Sequence, residues 1–128
     1  MNLNTINNIL ISKFPELALL FKEQFDLWGN NIHPHCFTGD VLNNYVTGLL
    51  LENNNKQQIK KIFDFYEEMA CCDDLEVRNL LQVTLLEYLW DNERVFNKAL
   101  DYMQPKTREI NNLISSYLKL PVGYAKGE

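Results

Sequence analysis

The chain has 128 residues, of which 46% are hydrophobic, 12% aromatic and 23% charged, with a formal net charge of −5. This length supports one hydrophobic core but not two, so the whole of 1–128 is expected to be a single domain. With only 5 Gly and 4 Pro, disorder over most of the chain is excluded. No apolar run reaches the ~20 residues of a membrane span, and an acidic chain is poorly suited to holding a phosphate backbone, so direct nucleic-acid binding and membrane insertion are not expected.

Met1 to Thr5 carries neither the basic start nor the small-residue cleavage site of a secretory signal, which makes the cytoplasm the expected location. The three cysteines agree with this. Cys71 and Cys72 are adjacent and Cys36 is distant, which is neither a disulfide framework nor a Cys-x-x-Cys motif. They read as small, partly buried apolar residues.

In chain order, the apolar periodicity is helical throughout and divides into about seven segments. Leu3, Ile6, Ile9 and Leu10 make a short first helix. Pro15 suits the first position of a second, whose apolar residues are Leu17, Leu20, Phe21, Phe25 and Trp28, and Gly29-Asn30-Asn31 ends it. Thr38 or Asp40 is expected to N-cap the third helix, with Val41, Leu42, Tyr45, Val46, Leu49 and Leu50 buried. After Asn53-Asn54-Asn55, a helix of about 56–72 places Ile59, Ile62, Phe63, Phe65, Tyr66, Met69 and Ala70 on one side and its charges on the other.

Asp73 is expected to cap the next helix, with Glu76 completing a capping box. That helix, about 75–91, has Val77, Leu80, Leu81, Val83, Leu85, Leu86, Tyr88, Leu89 and Trp90 around most of its circumference, the pattern of an element buried on several sides. A helix over 93–103 follows. Pro105 opens the last one, whose expected inner face is Ile110, Leu113, Ile114, Tyr117 and Leu118; Pro121 ends it and 121–128 reads as a loose tail. The fold class is therefore all-α. Short connections imply a compact stack of antiparallel hairpins around the helix of about 75–91.

Catalytic patterns are scarce, and no enzyme activity is assigned. His33, His35 and Cys36 offer three potential zinc ligands, but adjacent residues on one loop cannot enclose a tetrahedral ion and no fourth ligand is evident, so neither a metal site nor a cofactor is assigned. A surface loop is the simpler reading. Glu87, set among apolar residues, could act as an acid or base of raised pKa, yet a lone buried carboxylate more often serves as a hydrogen-bond acceptor within the core.

The distribution of charge is more informative. From Asp64 to Glu93 nine acids (Asp64, Glu67, Glu68, Asp73, Asp74, Glu76, Glu87, Asp91 and Glu93) accompany one base, Arg78. Glu67 and Glu68 also lie in the last turns of their helix, where the macrodipole disfavours anions, and Asp64 stands four residues from Glu68. Breaches of local rules mark places where function is expected. A fixed anionic surface formed by Asp64, Glu67, Glu68, Asp73, Asp74, Glu76, Asp91 and Glu93 would attract a cationic protein partner.

The Phe14-Pro15-Glu16-Leu17 opening, the Ile62-Phe63-Asp64-Phe65-Tyr66-Glu67 segment, and Asp73-Asp74-Leu75-Glu76-Val77 leading into Leu85-Leu86-Glu87-Tyr88-Leu89 resemble small all-helical bacterial immunity proteins of contact-dependent growth inhibition and related polymorphic toxin systems. The resemblance spans most of the chain up to Leu120. It implies a protein that binds and neutralises a cognate toxin domain, often a basic nuclease, and it brings no catalytic residue. A helical adaptor docking a peptide is the alternative reading, and a metal-dependent enzyme using the loop with His33, His35 and Cys36 is a third.

Overall fold

The computed structural model describes residues 1–28, 34–52 and 54–118. The described chain is all-α, in seven helical runs. The first run is α1 (Ile6–Lys13); a 3₁₀ turn, Pro15–Leu17, leads from it into α2 (Ala18–Trp28). The third begins as α3 (Pro34–Phe37), passes through a π segment, Thr38–Leu42, and continues as α4 (Asn43–Glu52). The fourth is α5 (Lys56–Ala70). The fifth joins α6 (Leu75–Asn79), a second π segment, Leu80–Leu86, and α7 (Glu87–Leu89). The last two are α8 (Glu93–Leu100) and α9 (Pro105–Ser115). No described helix is long and apolar enough to cross a membrane. The expected helix end at Gly29-Asn30-Asn31, the stop at Pro121 and the tail 121–128 lie outside the described residues, as do His33, Asn53 and the side chains of Phe25, Trp28 and Cys36.

Local chemistry accounts for most of the boundaries. Pro15 and Pro105 occupy the first turns of their helices, where a missing N–H costs nothing. The Asn55 side chain accepts from Gln58 N at 3.4 Å, and Asn92 accepts from Val95 N at 3.0 Å, capping α5 and α8. The cap of α6 is Asp74, not Asp73. Helical backbone starts at Leu75, so only the residue immediately before it can reach the second and third N–H groups; Asp74 Oδ1 accepts from Glu76 N at 2.9 Å and Val77 N at 3.2 Å. Neither Thr38 nor Asp40 caps its helix, because that helix already starts at Pro34 and runs through both.

All seven apolar residues expected on one side of α5 are buried. They meet Phe14 and Leu17 from the first two runs, Val46 and Leu50 of α4, and Ile114 of α9 in one core. Edge-to-face contact joins Phe14 to Phe65 (centroids 6.1 Å apart) and Phe63 to Tyr66 (5.0 Å), the arrangement that aromatic quadrupoles prefer.

The run from Leu75 to Leu89 is the buried centre, but it is not a uniform α-helix. Across the second π segment the Glu87 N–H reaches back five residues to Gln82 O, and across the first the Asn43 N–H reaches Thr38 O, the i→i+5 pattern of a π turn. The widened turn changes which residues face inward. In an α-helix, at about 100° per residue, Leu80 and Leu85 would point roughly 140° apart; here Leu80, Leu81, Leu85 and Leu86 are all buried. Val83, expected in the core, is 46% exposed. Of the nine residues expected in the core, Val77, Leu80, Leu81, Leu85, Leu86, Leu89 and Trp90 are buried, Tyr88 is half-buried and Val83 is turned out.

The inner face of α9 also differs from the expectation. Leu113 is 58% and Tyr117 50% exposed, while Thr107, Asn111 and Ile114 are buried. Two of the inward positions are polar and bond specific partners: the Asn111 side chain accepts from Trp90 Nε1 at 2.9 Å, and Thr107 bonds Glu67.

Two outcomes are expected. Leu85→Ala should cost about 2–5 kcal/mol in urea unfolding, whereas Val83→Ala should stay within about 0.5 kcal/mol, a contrast that a regular α-helix would not produce. The second concerns alkali. Burial and then the Glu16 hydrogen bond push the Tyr45 hydroxyl up from 10.0 to about 12, and complete burial raises Tyr66. Unfolded tyrosine ionises near about pH 10, so the unfolded chain releases these protons first. The stability they carry is whole below pH 10 and falls as pH rises toward 12. The urea midpoint should decline over that interval more steeply for wild type than for Tyr66→Phe.

Candidate functional site

The acids of the 64–93 stretch separate into those engaged within the fold and those left for solvent. Glu67 is engaged. Its Oε1 accepts from Thr107 N and Thr107 Oγ1, both at 2.9 Å, and its Oε2 accepts from Lys106 N at 3.0 Å. The carboxylate thus satisfies two of the unpaired N–H groups at the start of α9 and sits at the positive end of that helix. The apparent breach of the dipole rule at the end of α5 is resolved by the N-terminus of another helix. Asp64 Oδ1 accepts from Gln104 Nε2 at the same junction, and its carboxylate pairs with Lys60 Nζ at 3.1 Å. Glu68 pairs with Lys13 of α1 at 3.7 Å. Asp64 and Glu68, expected to repel, are therefore drawn to different partners.

Asp74 is a helix cap. Asp73, Glu76, Asp91 and Glu93 are exposed and carry no ion pair among the described residues. Two of them border clefts. Asp73 lines one of about 400 Å³ with Arg78, Lys106, Glu109, Ile110 and Leu113, where Arg78 Nε is buried without a hydrogen bond. Asp91 lines another of about 350 Å³ with Glu87. The eight candidate acids thus do not act as one set: Asp64, Glu67 and Glu68 are tied to other elements of the fold, Asp74 caps its own helix, and four remain outward.

The second cleft forms where the two π segments meet. Gly39 comes close enough to Thr84 that a Cβ added there would stand 3.9 Å from Thr84 Cγ2. Asn43 Nδ2 donates to Thr84 O at 2.9 Å, and His35 Nδ1 shares a hydrogen bond with the Thr84 hydroxyl. His35 therefore belongs to a helix that packs on the central run, not to a surface loop. Tyr88 and Glu87 complete the wall with Asn43, Val83 and Thr84. Glu87 Oε2 accepts from the Tyr117 hydroxyl at 2.5 Å, and Tyr117 in turn accepts from Gln82 Nε2 at 2.9 Å. Burial and the Glu87 hydrogen bond raise the Tyr117 pKa from its ordinary value.

Sequence reasoning singled out Glu87 but missed Asn43 and Thr84, its neighbours in space. The available signal was two polar residues at positions where the apolar pattern calls for hydrophobic ones. Of the proposed zinc ligands, His33 and the Cys36 side chain lie outside the described residues. Among the described residues no three of His, Cys, Asp and Glu gather closely enough to hold a metal ion. Cys71 is an exposed free thiol and Cys72 a half-buried one, its Sγ 3.5 Å from Met1 O.

The family model described as "Domain of unknown function (DUF7674)" matches residues 7–117, from the first turn of α1 to Tyr117, whose hydroxyl donates to Glu87. No curated protein and no solved structure matches the chain.

Glu67 provides the test of the engaged acids. Glu67→Ala should lower stability by about 1–2 kcal/mol, as loss of a well-placed helix cap does, with α9 the first element to lose amide protection in hydrogen exchange. Glu76→Ala, on an exposed surface, should stay within about 0.5 kcal/mol.

Proposed function

The chain belongs to this domain family, and we propose that it is a cytoplasmic binding protein that neutralises a basic protein partner, in the manner of an immunity protein holding the toxin domain encoded beside it. The observation that supports this is the set of exposed acids left unpaired by the fold. Asp73, Glu76, Asp91 and Glu93 stand on the surface of the central run and the start of α8 with no ion pair among the described residues. Fixed charges of one sign raise the local concentration of an oppositely charged partner and speed its docking. A nuclease is suited to such a surface, since any domain that grips phosphates carries basic residues. The reading assigns the chain no catalysis and no cofactor.

A helical adaptor is the second reading, favoured by Leu113, which is 58% exposed beside Ile110 in the 400 Å³ cleft, and by Leu75 at 72% exposed. Such a surface would dock an apolar helix or peptide.

Co-expression with a basic toxin domain encoded beside the gene separates the two. On the proposed reading, the wild-type chain protects the cells and binds the toxin tightly, and the association rate falls as salt is raised. Glu76→Lys with Glu93→Lys, which leaves the caps Asp74 and Asn92 intact, should slow association at least about tenfold at low salt. If this folded double variant binds and protects as well as wild type while Leu113→Ser does not, the acidic surface is not the interface and the adaptor reading takes its place.

A further inference from the structure

We propose that the face carrying Leu75, Arg78 and Leu113 is the interface of a symmetric dimer, in which Arg78 of each copy of the chain pairs with Asp73 of the other.

The first argument is a cation that the fold leaves without a partner. Arg78 lines the cleft of about 400 Å³ beside the end of α5, the start of the central run and α9. Its guanidinium makes no ion pair or hydrogen bond among the described residues, and its Nε is buried without an acceptor. A donor left in that state costs free energy that an arriving acceptor recovers. Asp73, on the same lining, is exposed and carries no ion pair among the described residues. The other two charges of the lining, Lys106 and Glu109, pair with each other at 3.5 Å. Among the described residues the cleft is thus left with an unpaired cation and an unpaired anion that do not meet.

The second argument is apolar. Leu75, Leu113 and Tyr117 are all at least half exposed. At about 100° per residue, Leu75 and Arg78 stand about 60° apart on α6. Leu113 borders the cleft with Arg78, and Gln82 Nε2, donating to the Tyr117 hydroxyl at 2.9 Å, holds Tyr117 against the same run. Three large apolar side chains therefore share the surface of the unpaired charges.

The charge pattern selects the occupant. In an isologous interface residue i meets j and j meets i, so a surface with one unpaired acid and one unpaired base close together is complementary to itself. Asp73 and Arg78 are five residues apart, with Leu75 between them. A two-fold axis passing beside Leu75 sets each acid against the other copy's base and brings the two Leu75 side chains together at the centre, where interfaces are most apolar. A carboxylate facing a guanidinium in this way accepts two parallel hydrogen bonds. Glu76 lies about 160° around α6 from Arg78 and stays outside the contact. Asp73 then belongs to the dimer, and Glu76, Asp91 and Glu93 carry the outward charge of the proposed function, on which this inference does not rest.

The test is sedimentation velocity of the whole chain at about 1–300 μM, the range in which moderate self-affinity falls. The wild-type chain should approach twice the monomer mass as concentration rises. Asp73→Arg leaves the cap Asp74 in place and puts two bases on every copy; Arg78→Asp puts two acids there. Each should weaken self-association at least tenfold. An equimolar mixture of the two single variants should dimerise like wild type, because each acid then faces a base, and the double variant Asp73→Arg with Arg78→Asp should dimerise for the same reason. Circular dichroism of each variant separates loss of the interface from loss of the fold, and the wild-type measurement stands whether or not a variant folds. A wild-type chain that stays monomeric throughout overturns the proposal and leaves the face to a foreign helix or peptide. Folded single variants that dimerise as well as wild type, or that stay monomeric when mixed, overturn it too. The toxin experiment is separate, since Glu76 and Glu93 do not line this cleft.

Discussion

The structure depends most on the register of the central run, and that register is set by one widened turn. Between Leu81 and Leu85 the backbone takes on the i→i+5 spacing, so that two leucine pairs share one buried side and Val83 leaves it. In a regular helix the midpoints of the two pairs would lie about 140° apart, so that one pair would turn toward solvent. Each buried leucine is worth roughly 1.5–3 kcal/mol relative to exposure, while the less favourable turn changes a few hydrogen bonds without losing them. Burial of the four leucines therefore outweighs the cost of the irregular turn, and the position of the cleft follows from that outcome. Thr84 reaches His35 and Asn43 only because the turn aims it there.

The second constraint is electrostatic. Three helix starts are held by side-chain oxygens close in sequence, from Asn55, Asp74 and Asn92. The start of α9 has Pro105 but no local cap, and Glu67 supplies the oxygens from 40 residues away. Arg108 acts at the opposite pole, donating from Nε to Met103 O at 3.1 Å and from its guanidinium to Leu100 O, where the carbonyls ending α8 concentrate negative charge. The turn between α8 and α9 is thus fixed by an anion on one side and a cation on the other. These charges have structural work within the fold and are not available to a partner.

Subtracting them changes the meaning of the acidic stretch. What remains outward is a smaller group on the central run and the beginning of α8, and one of its members, Asp91, shares a cavity with Glu87 and Asn43. Function is proposed for that remainder because no ion pair among the described residues neutralises it.

The amino-acid sequence by itself determined the helical class, the buried side of α5 residue for residue, and the central place of the run beginning at Leu75, because these depend on apolar periodicity and on capping chemistry between neighbours in the chain. It also exposed Glu87 as an oddity. It did not reveal the inner face of α9, since Thr107 and Asn111 are polar and only their contacts with Glu67 and Trp90 make burial favourable. It misplaced Val83, because the widened turn spans that position and leaves no mark in composition. It grouped all the acids together, because charge is visible in a sequence while partners at a distance are not. Tertiary structure decided those three points through contacts that join residues 21 to 40 positions apart or alter the turn itself, beyond the reach of any local pattern.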